Sequence, residues 1–333
     1  MGVDKKLIAI AYSDHHIGEF KQFDKGGTRL GFSLDVWRVL SYIAKEKSVP
    51  VLFGGDLFET AKTMTNKVFS KSLKEYNKKF EQPGIDFYAI DGNHDQSESN
   101  TITHRSPNYL EGFKIFKTFH HLEYNSVETK DFKVFGIPYL KRNEGFVKMV
   151  DGLSKKVVKG KPNILLIHTD LPSVPYPNGL TPDNIPGIPK RLTKLFKAFD
   201  LVLCGHIHKK HKVAKNIIMM GAPQQQSTEE SGLKMGYWEI YSDSSVKFKW
   251  LDFYPDFRYI TEGEPIPDIF NYYTIVPKPP KKAKSEDKQV KKKFKSSISN
   301  RELVENYLGE IGVTDKAKKK LLTKILDEAS KGN

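Results

Sequence analysis

One local event recurs five times along this chain: a short apolar run ends, the backbone turns, and side chains able to bind a metal follow at once. Leu7–Tyr12 closes on Ser13-Asp14-His15-His16, and the run 49–53 closes on Gly54-Gly55-Asp56. The run 87–90 leads into Asp91-Gly92-Asn93-His94-Asp95, 163–167 ends at His168, and 200–204 leads into Gly205-His206-Ile207-His208. Apolar runs of this length read as buried strands, and glycine lets the backbone turn sharply after them. Helical apolar spacing falls between the strands, at Leu34, Val36, Trp37, Leu40, Ile43 and Ala44, and a lysine-rich helix is predicted over 65–80. Further strands are predicted at 132–137 and 216–220, with a closing antiparallel hairpin at 236–241 and 246–253. The proline- and glycine-rich stretch 172–189 reads as a loop near the site, with no internal helix. Strands alternating with helices predict an α/β core. The polar residues then sit at the C-terminal ends of strands, where open α/β sheets place their sites.

A length of 333 residues predicts one large domain with an appendage. The single cysteine, Cys204, excludes an internal disulfide and fits a reducing compartment. No stretch is long enough to span a membrane, and the apolar run 7–11 is too short for a signal peptide, so a soluble cytoplasmic protein is expected. The net charge of +14 favours a polyanionic partner, nucleic acid before a membrane surface. Half of that charge lies between Lys278 and Lys295, where nine lysines face two acids, Glu286 and Asp287. Such composition predicts a basic flexible linker over 278–298. Prolines at 265, 267, 277, 279 and 280 break regular structure around it. Beyond it, Ser299-Asn300-Arg301-Glu302 is a capping-box pattern. Leu303, Val304, Tyr307, Leu308 and Ile311 follow at helical spacing, and Leu321, Leu322, Ile325 and Leu326 mark a second helix. Two short amphipathic helices cannot bury both faces alone, so they fold back on the core or dock on a partner.

The strand-end residues Asp14, His16, Asp56, Asn93, His94, His168, His206 and His208 combine carboxylates, an amide oxygen and imidazoles. That mixture suits manganese, iron or zinc, and it exceeds what one ion needs. Two ions sharing a bridging carboxylate, about 3.5–4 Å apart, would clamp the oxygens of a phosphoryl group. A single strand-end Asp is more often a cap, and a single His more often a surface or satisfied core residue. His15, His104, His120, His121 and His211 are assigned to that ordinary class.

Asp14-His15-His16, Gly54-Gly55-Asp56, Gly92-Asn93-His94-Asp95, His168 and Gly205-His206-Ile207-His208, in this order, resemble the calcineurin-like metallophosphoesterase superfamily. The resemblance covers about 7–253 and implies a four-layer α/β/β/α sandwich as the nuclease domain, 1–253. It implies one divalent ion, manganese by preference, on Asp14, His16, Asp56 and His208. A second would sit on Asp56, Asn93, His168 and His206, with Asp56 bridging. His94 would be a non-ligand catalytic residue that protonates the leaving oxygen or stabilises the transition state. Within the superfamily the chain is most similar to the SbcD nucleases of double-strand-break repair and their phage counterparts. The features shared are the Asp-x-His opening, Gly136-Ile137-Pro138-Tyr139 and the terminal helix pair. That likeness implies docking of 299–333 on an SbcC-type coiled-coil ATPase, a homodimer, and a host-cytoplasm location for a phage-encoded member. It also implies a DNA-capping domain, here reduced to 254–277. Glu59 stands where some members carry a DNA-facing histidine.

A two-metal DNA exonuclease and endonuclease is therefore the leading expectation, with Lys209, Lys210 and the linker lysines as DNA contacts. A metallophosphatase or phosphodiesterase acting on a small molecule or phosphoprotein is the alternative. A binding scaffold that has lost catalysis is a third reading, opposed by the intact ligand set.

Overall fold

The apolar runs become strands buried on both faces. The computed structural model describes residues 5–20, 27–97, 108–140, 145–176, 179–181, 185, 188–251, 257–261 and 272–276. In chain order the strands are β1 (Leu7–Tyr12), β2 (Val51–Phe53), β3 (Phe87–Ala89), β4 (Phe119–His121), β5 (Ser126–Glu128) and β6 (Lys133–Ile137). They continue as β7 (Asn163–His168), β8 (Leu201–Gly205), β9 (His211–Ala214), β10 (Ile217–Met219), β11 (Gly236–Tyr241) and β12 (Val246–Trp250). One six-stranded sheet has the order β12-β11-β1-β2-β3-β4, the other β5-β6-β7-β8-β10-β9.

Alternation along each strand sorts the side chains into three apolar layers. Ile10, Tyr12, Val51, Phe53 and Phe87 face α1 (Arg29–Lys47) and α2 (Asn66–Tyr76), packing on Leu34, Trp37, Leu40 and Val68. Ala11, Leu52, Tyr88 and Ile90 meet Ile164, Leu166, Leu201 and Leu203 between the sheets. Leu165, Ile167, Val202 and Cys204 face α3 (Phe146–Ser154) and α4 (Leu192–Leu195), through Phe146, Val150, Leu153 and Leu192. The result is the expected α/β/β/α sandwich. Strands β1, β2, β3 and β4 pair in parallel, as do β6, β7, β8 and β10. Parallel pairing brings the C-terminal ends of β1, β2 and β3 to one edge, and those of β7 and β8, with His168 opposite Gly205, to one edge of the second sheet.

Some elements differ from the sequence reading. Helix α1 starts at Arg29, before the expected 34, because Arg29, Leu30 and Ser33 are also buried against the core. It stops where Ser48 adopts a left-handed φ of 51° and its N–H bonds the Ala44 and Lys45 carbonyls. Thr65 caps α2 through the Val68 N–H, and the last turn of the expected 65–80 helix widens into a π turn at Asn77–Glu81. Strands β4, β5 and β9 were not legible because they lie at sheet edges or are half-exposed, so they carry no continuous apolar run. The described residues of 172–189 carry no helix, as expected. In 254–277, where prolines predicted irregular chain, β13 (Phe257–Thr261) and β14 (Tyr272–Val276) pair in parallel. The linker 278–298 and the helix pair 299–333 lie outside the described residues. Among the described residues no helix is long and apolar enough to cross a membrane.

The sheets approach closely at Gly136 in β6, where an added Cβ would fall 2.4 Å from Leu122 Cβ and 2.7 Å from Ile90. Gly136→Ala should therefore lower the urea midpoint, by about 1–3 kcal/mol of stability, as overpacking does. An unchanged midpoint would contradict this packing.

Candidate metal centre

The five polar turns converge at these strand ends, and their backbone is unusual. Asp14, His16, Asp56 and His206 have φ of 54°, 52°, 58° and 98°. A left-handed conformation at a residue with a side chain costs about 1–3 kcal/mol and persists only where its surroundings impose it. Here the surroundings are hydrogen bonds. Asp14 N–H donates to the Gly55 carbonyl, and His15 and His16 N–H both donate to that of Asp56. The buried Asp95 carboxylate accepts from the N–H groups of Asp56, Leu57, Phe58 and Gly92, at 2.8–3.0 Å. Glycine is required at 92, where a Cβ would lie 2.0 Å from Asp56 Oδ1.

The seven predicted ligands and His94, predicted as a non-ligand, come together. Donor atoms of Asp14, His16 and His208 lie within 4.8 Å of one another, as do those of His16, Asp56 and His94, and of Asp56, His168 and His206. Asp56 Oδ2 sits between two groups, 3.7 Å from His16 Nε2 and 3.2 Å from His168 Nε2. Asn93 Oδ1 joins the second group, 3.1 Å from His168 Nε2 and 2.9 Å from His206 Nδ1.

The donor chemistry fits a pair of cations. His168 Nδ1–H donates to the Gly54 carbonyl at 2.7 Å, so in the neutral ring Nε2 is a bare lone pair facing two acceptor oxygens. His16 Nδ1–H donates to Glu59 at 3.0 Å, and His208 Nδ1–H to Glu230 at 2.6 Å. With both rings neutral, their Nε2 atoms face each other at 3.1 Å with no proton to share. His206 Nε2 lies 3.4 Å from Asp170, which leaves Nδ1 for the centre. Acceptors converge without donors, and a positive charge between them removes the conflict. Carboxylates on the outer nitrogens are the usual way a protein orients metal-binding imidazoles.

Without that charge, protons take its place. Burial alone would lower the pKa of His168, but Asp56 overrides it and brings it to about 9. At His208 Glu230 does the same, also to about 9. Asp56, although burial pushes it up, is held well below the usual carboxylate range by His168, His16 and His94. Burial, with Asp56 and Asp91 close by, pushes Asp95 up to about 8 against its four N–H bonds. A cation bound to Asp56 would relieve that repulsion.

His94 Nδ1 bonds the Glu59 carbonyl, and its ring centroid lies 4.7 Å from that of His16. His15, between Asp14 and His16 in sequence, points the other way. It is buried, donates Nε2–H to the Ser33 carbonyl at 2.7 Å, and is kept neutral by burial, its pKa about 3. His120 stacks on Tyr88 and meets Asp86, and His211 is on β9. His104 lies outside the described residues. Lys210 Nζ rests 4.4 Å over the Phe248 ring, and Lys209 is half-buried beside it. The sequence reading missed Glu230 and Asp170 and gave Glu59 no role at His16. Glu59 and Asp170 follow predicted ligands by three and two residues, whereas Glu230 has no motif near it.

The raised pKa values fix a pH dependence. Stability from protonated His168 and His208 in chelator-treated protein is fully present below about pH 6.5 and is lost as pH rises toward 9. Metal displaces the same protons, so manganese affinity should rise over that window. Thermal melts with chelator, and manganese titrations between pH 6 and 9, should show these opposite trends; flat profiles would contradict the geometry.

A search of curated proteins finds no match to this chain. Among solved structures it is similar to a dimetal phosphatase from zebrafish, Danio rerio. Sequence identity is 10%, the TM-score is 0.46, and the match covers 74% of this chain and 97% of that one. A sequence model of the calcineurin-like phosphoesterases matches residues 9–210, which span the five turns from Asp14 to His208. With that match over more than half its length, the chain belongs to the calcineurin-like phosphoesterase family.

Proposed function

We propose that this phosphoesterase is a two-metal DNA nuclease of the SbcD type. The observation that carries the choice of DNA is charge: the chain bears +14, half of it between Lys278 and Lys295. A polyanion gains from such a tract, and a small phosphate ester does not need it. A pair of divalent ions, when bound, supplies a nucleophile at neutral pH and offsets charge on the phosphoryl oxygens. Asp14, His16 and His208 would hold one ion and Asn93, His168 and His206 the other, with Asp56 shared between them.

The chain's own groups do the rest. Glu59, Glu230 and Asp170 hold protons on the outer nitrogens of His16, His208 and His206, which keeps the inner nitrogens as ligands. His94, fixed through Nδ1 by the Glu59 carbonyl, would give the proton on Nε2 to the leaving sugar oxygen. Lys209, Lys210 and the linker lysines would meet phosphates along the strand. Segment 299–333 would dock its two apolar stripes on an SbcC-type ATPase, as helix-in-groove recognition does.

Labelled DNA and p-nitrophenyl phosphate, assayed side by side with manganese, decide between a nuclease and a phosphatase. The expectation is cleavage of DNA with little turnover of the ester; the reverse favours the phosphatase. Asp56→Asn should lose activity and weaken both ions. His94→Ala should keep its metal and slow cleavage about 10²–10⁴-fold; loss of an ion from that variant would overturn its role. Truncation after Lys295 should leave metal-dependent DNA cleavage intact and abolish binding to the ATPase. Unchanged ATPase affinity would contradict docking through 299–333.

A further inference from the structure

A second group of side chains of the types that can bind a metal lies outside the set predicted for the ion pair. Asp91 follows β3, His121 ends β4, and Glu123 comes two residues later. Their donor atoms lie within 4.8 Å of one another. Glu111 and Lys114 reach the same place from the 3-10 turn Tyr109–Ile115.

The imidazole of His121 is the informative group. Its side chain is 1% exposed. Nε2–H donates to Asp91 Oδ1 at 3.0 Å, and Asn108 donates to the other Asp91 oxygen at 3.3 Å. Among the described residues Nδ1 has no hydrogen-bond partner. It points at two carboxylates, 3.6 Å from Glu111 Oε1 and 3.8 Å from Glu123 Oε1. These separations are too long for hydrogen bonds. They lie near the ligand-to-ligand edge of a tetrahedral site, about 3.3–3.6 Å for bonds of about 2.0–2.2 Å. Asp91 on the outer nitrogen repeats the device that Glu59 and Glu230 provide for His16 and His208.

We propose that His121 Nδ1, Glu111 and Glu123 form a third divalent-metal site of the zinc or manganese class, with Asp91 orienting the ring. A nitrogen with two carboxylates selects a borderline transition metal over magnesium or calcium. Lys114 Nζ already bridges the two glutamates, 2.7 Å from Glu111 and 3.5 Å from Glu123. It supplies positive charge in the metal-free protein. Its side chain is 41% exposed on a flexible stem, so a divalent ion can displace it into water. Bound metal would tie the 3-10 turn to the ends of β3 and β4, two residues from Asn93.

Equilibrium dialysis of the full chain against zinc, with metal counted by mass spectrometry, tests this. Wild type should bind one more ion per chain than His121→Gln. Lys114→Met should bind that additional ion about tenfold more tightly, a gain of about 1.4 kcal/mol. Circular dichroism checks that each variant is folded, and Glu111→Gln/Glu123→Gln gives the same reading if His121→Gln does not fold. Equal metal content in wild type and His121→Gln, or no gain in Lys114→Met, would overturn the site. Failure of the paired centre reads differently, as loss of the ions that His121→Gln retains.

Discussion

Four backbone N–H groups on one buried carboxylate set the geometry on which the rest depends. Asp95 accepts from Asp56, Leu57, Phe58 and Gly92, and so clamps the turn after β2 to the turn after β3. The clamp holds Asp56 in a left-handed conformation and brings its Oδ1 onto the His94 N–H at 2.8 Å. It also explains why Gly92 cannot carry a side chain. A buried carboxylate with full backbone satisfaction is stiff, because every alternative leaves N–H groups unpaired. Asp56 and Asn93 are therefore preset before any ion arrives.

The cost of this arrangement is the convergence of lone pairs. His16 and His208 face each other, and His168 faces Asn93 and Asp56. Outer partners prevent the rings from turning away: Glu59, Glu230 and the Gly54 carbonyl each hold a ring nitrogen. Glu230 is itself fixed, its second oxygen accepting from Gln226 N–H at 2.6 Å. Gln226 in turn donates to the His15 carbonyl and accepts from Arg29. The segment between β10 and β11, beyond the family-matched residues 9–210, thus completes the wall around His208. Repulsion among these acceptors would become affinity for a cation placed between them, and the fold carries that strain.

The strands that deliver the site were legible because they are buried on both faces: 164–167 and 201–204 are uninterrupted apolar runs. Edge strands such as Ser126–Glu128 carry no such run and were invisible. The turn residues were legible for a related reason, since a polar cluster stands out after an apolar run. His121 shows the limit. Next to His120 in an unremarked edge strand it looked ordinary, and only the folded chain brings Asp91 and Glu111 to it. Glu230 shows it again, because a partner 22 residues from His208 has no periodicity to mark it.

The converging acceptors are expected to hold two ions about one carboxylate, Asp56. Electron paramagnetic resonance of the manganese-loaded protein tests it most directly. A spin-coupled manganese pair is predicted, with any ion at His121 giving a separate, uncoupled signal. A spectrum of isolated manganese alone, at full loading, would contradict the account.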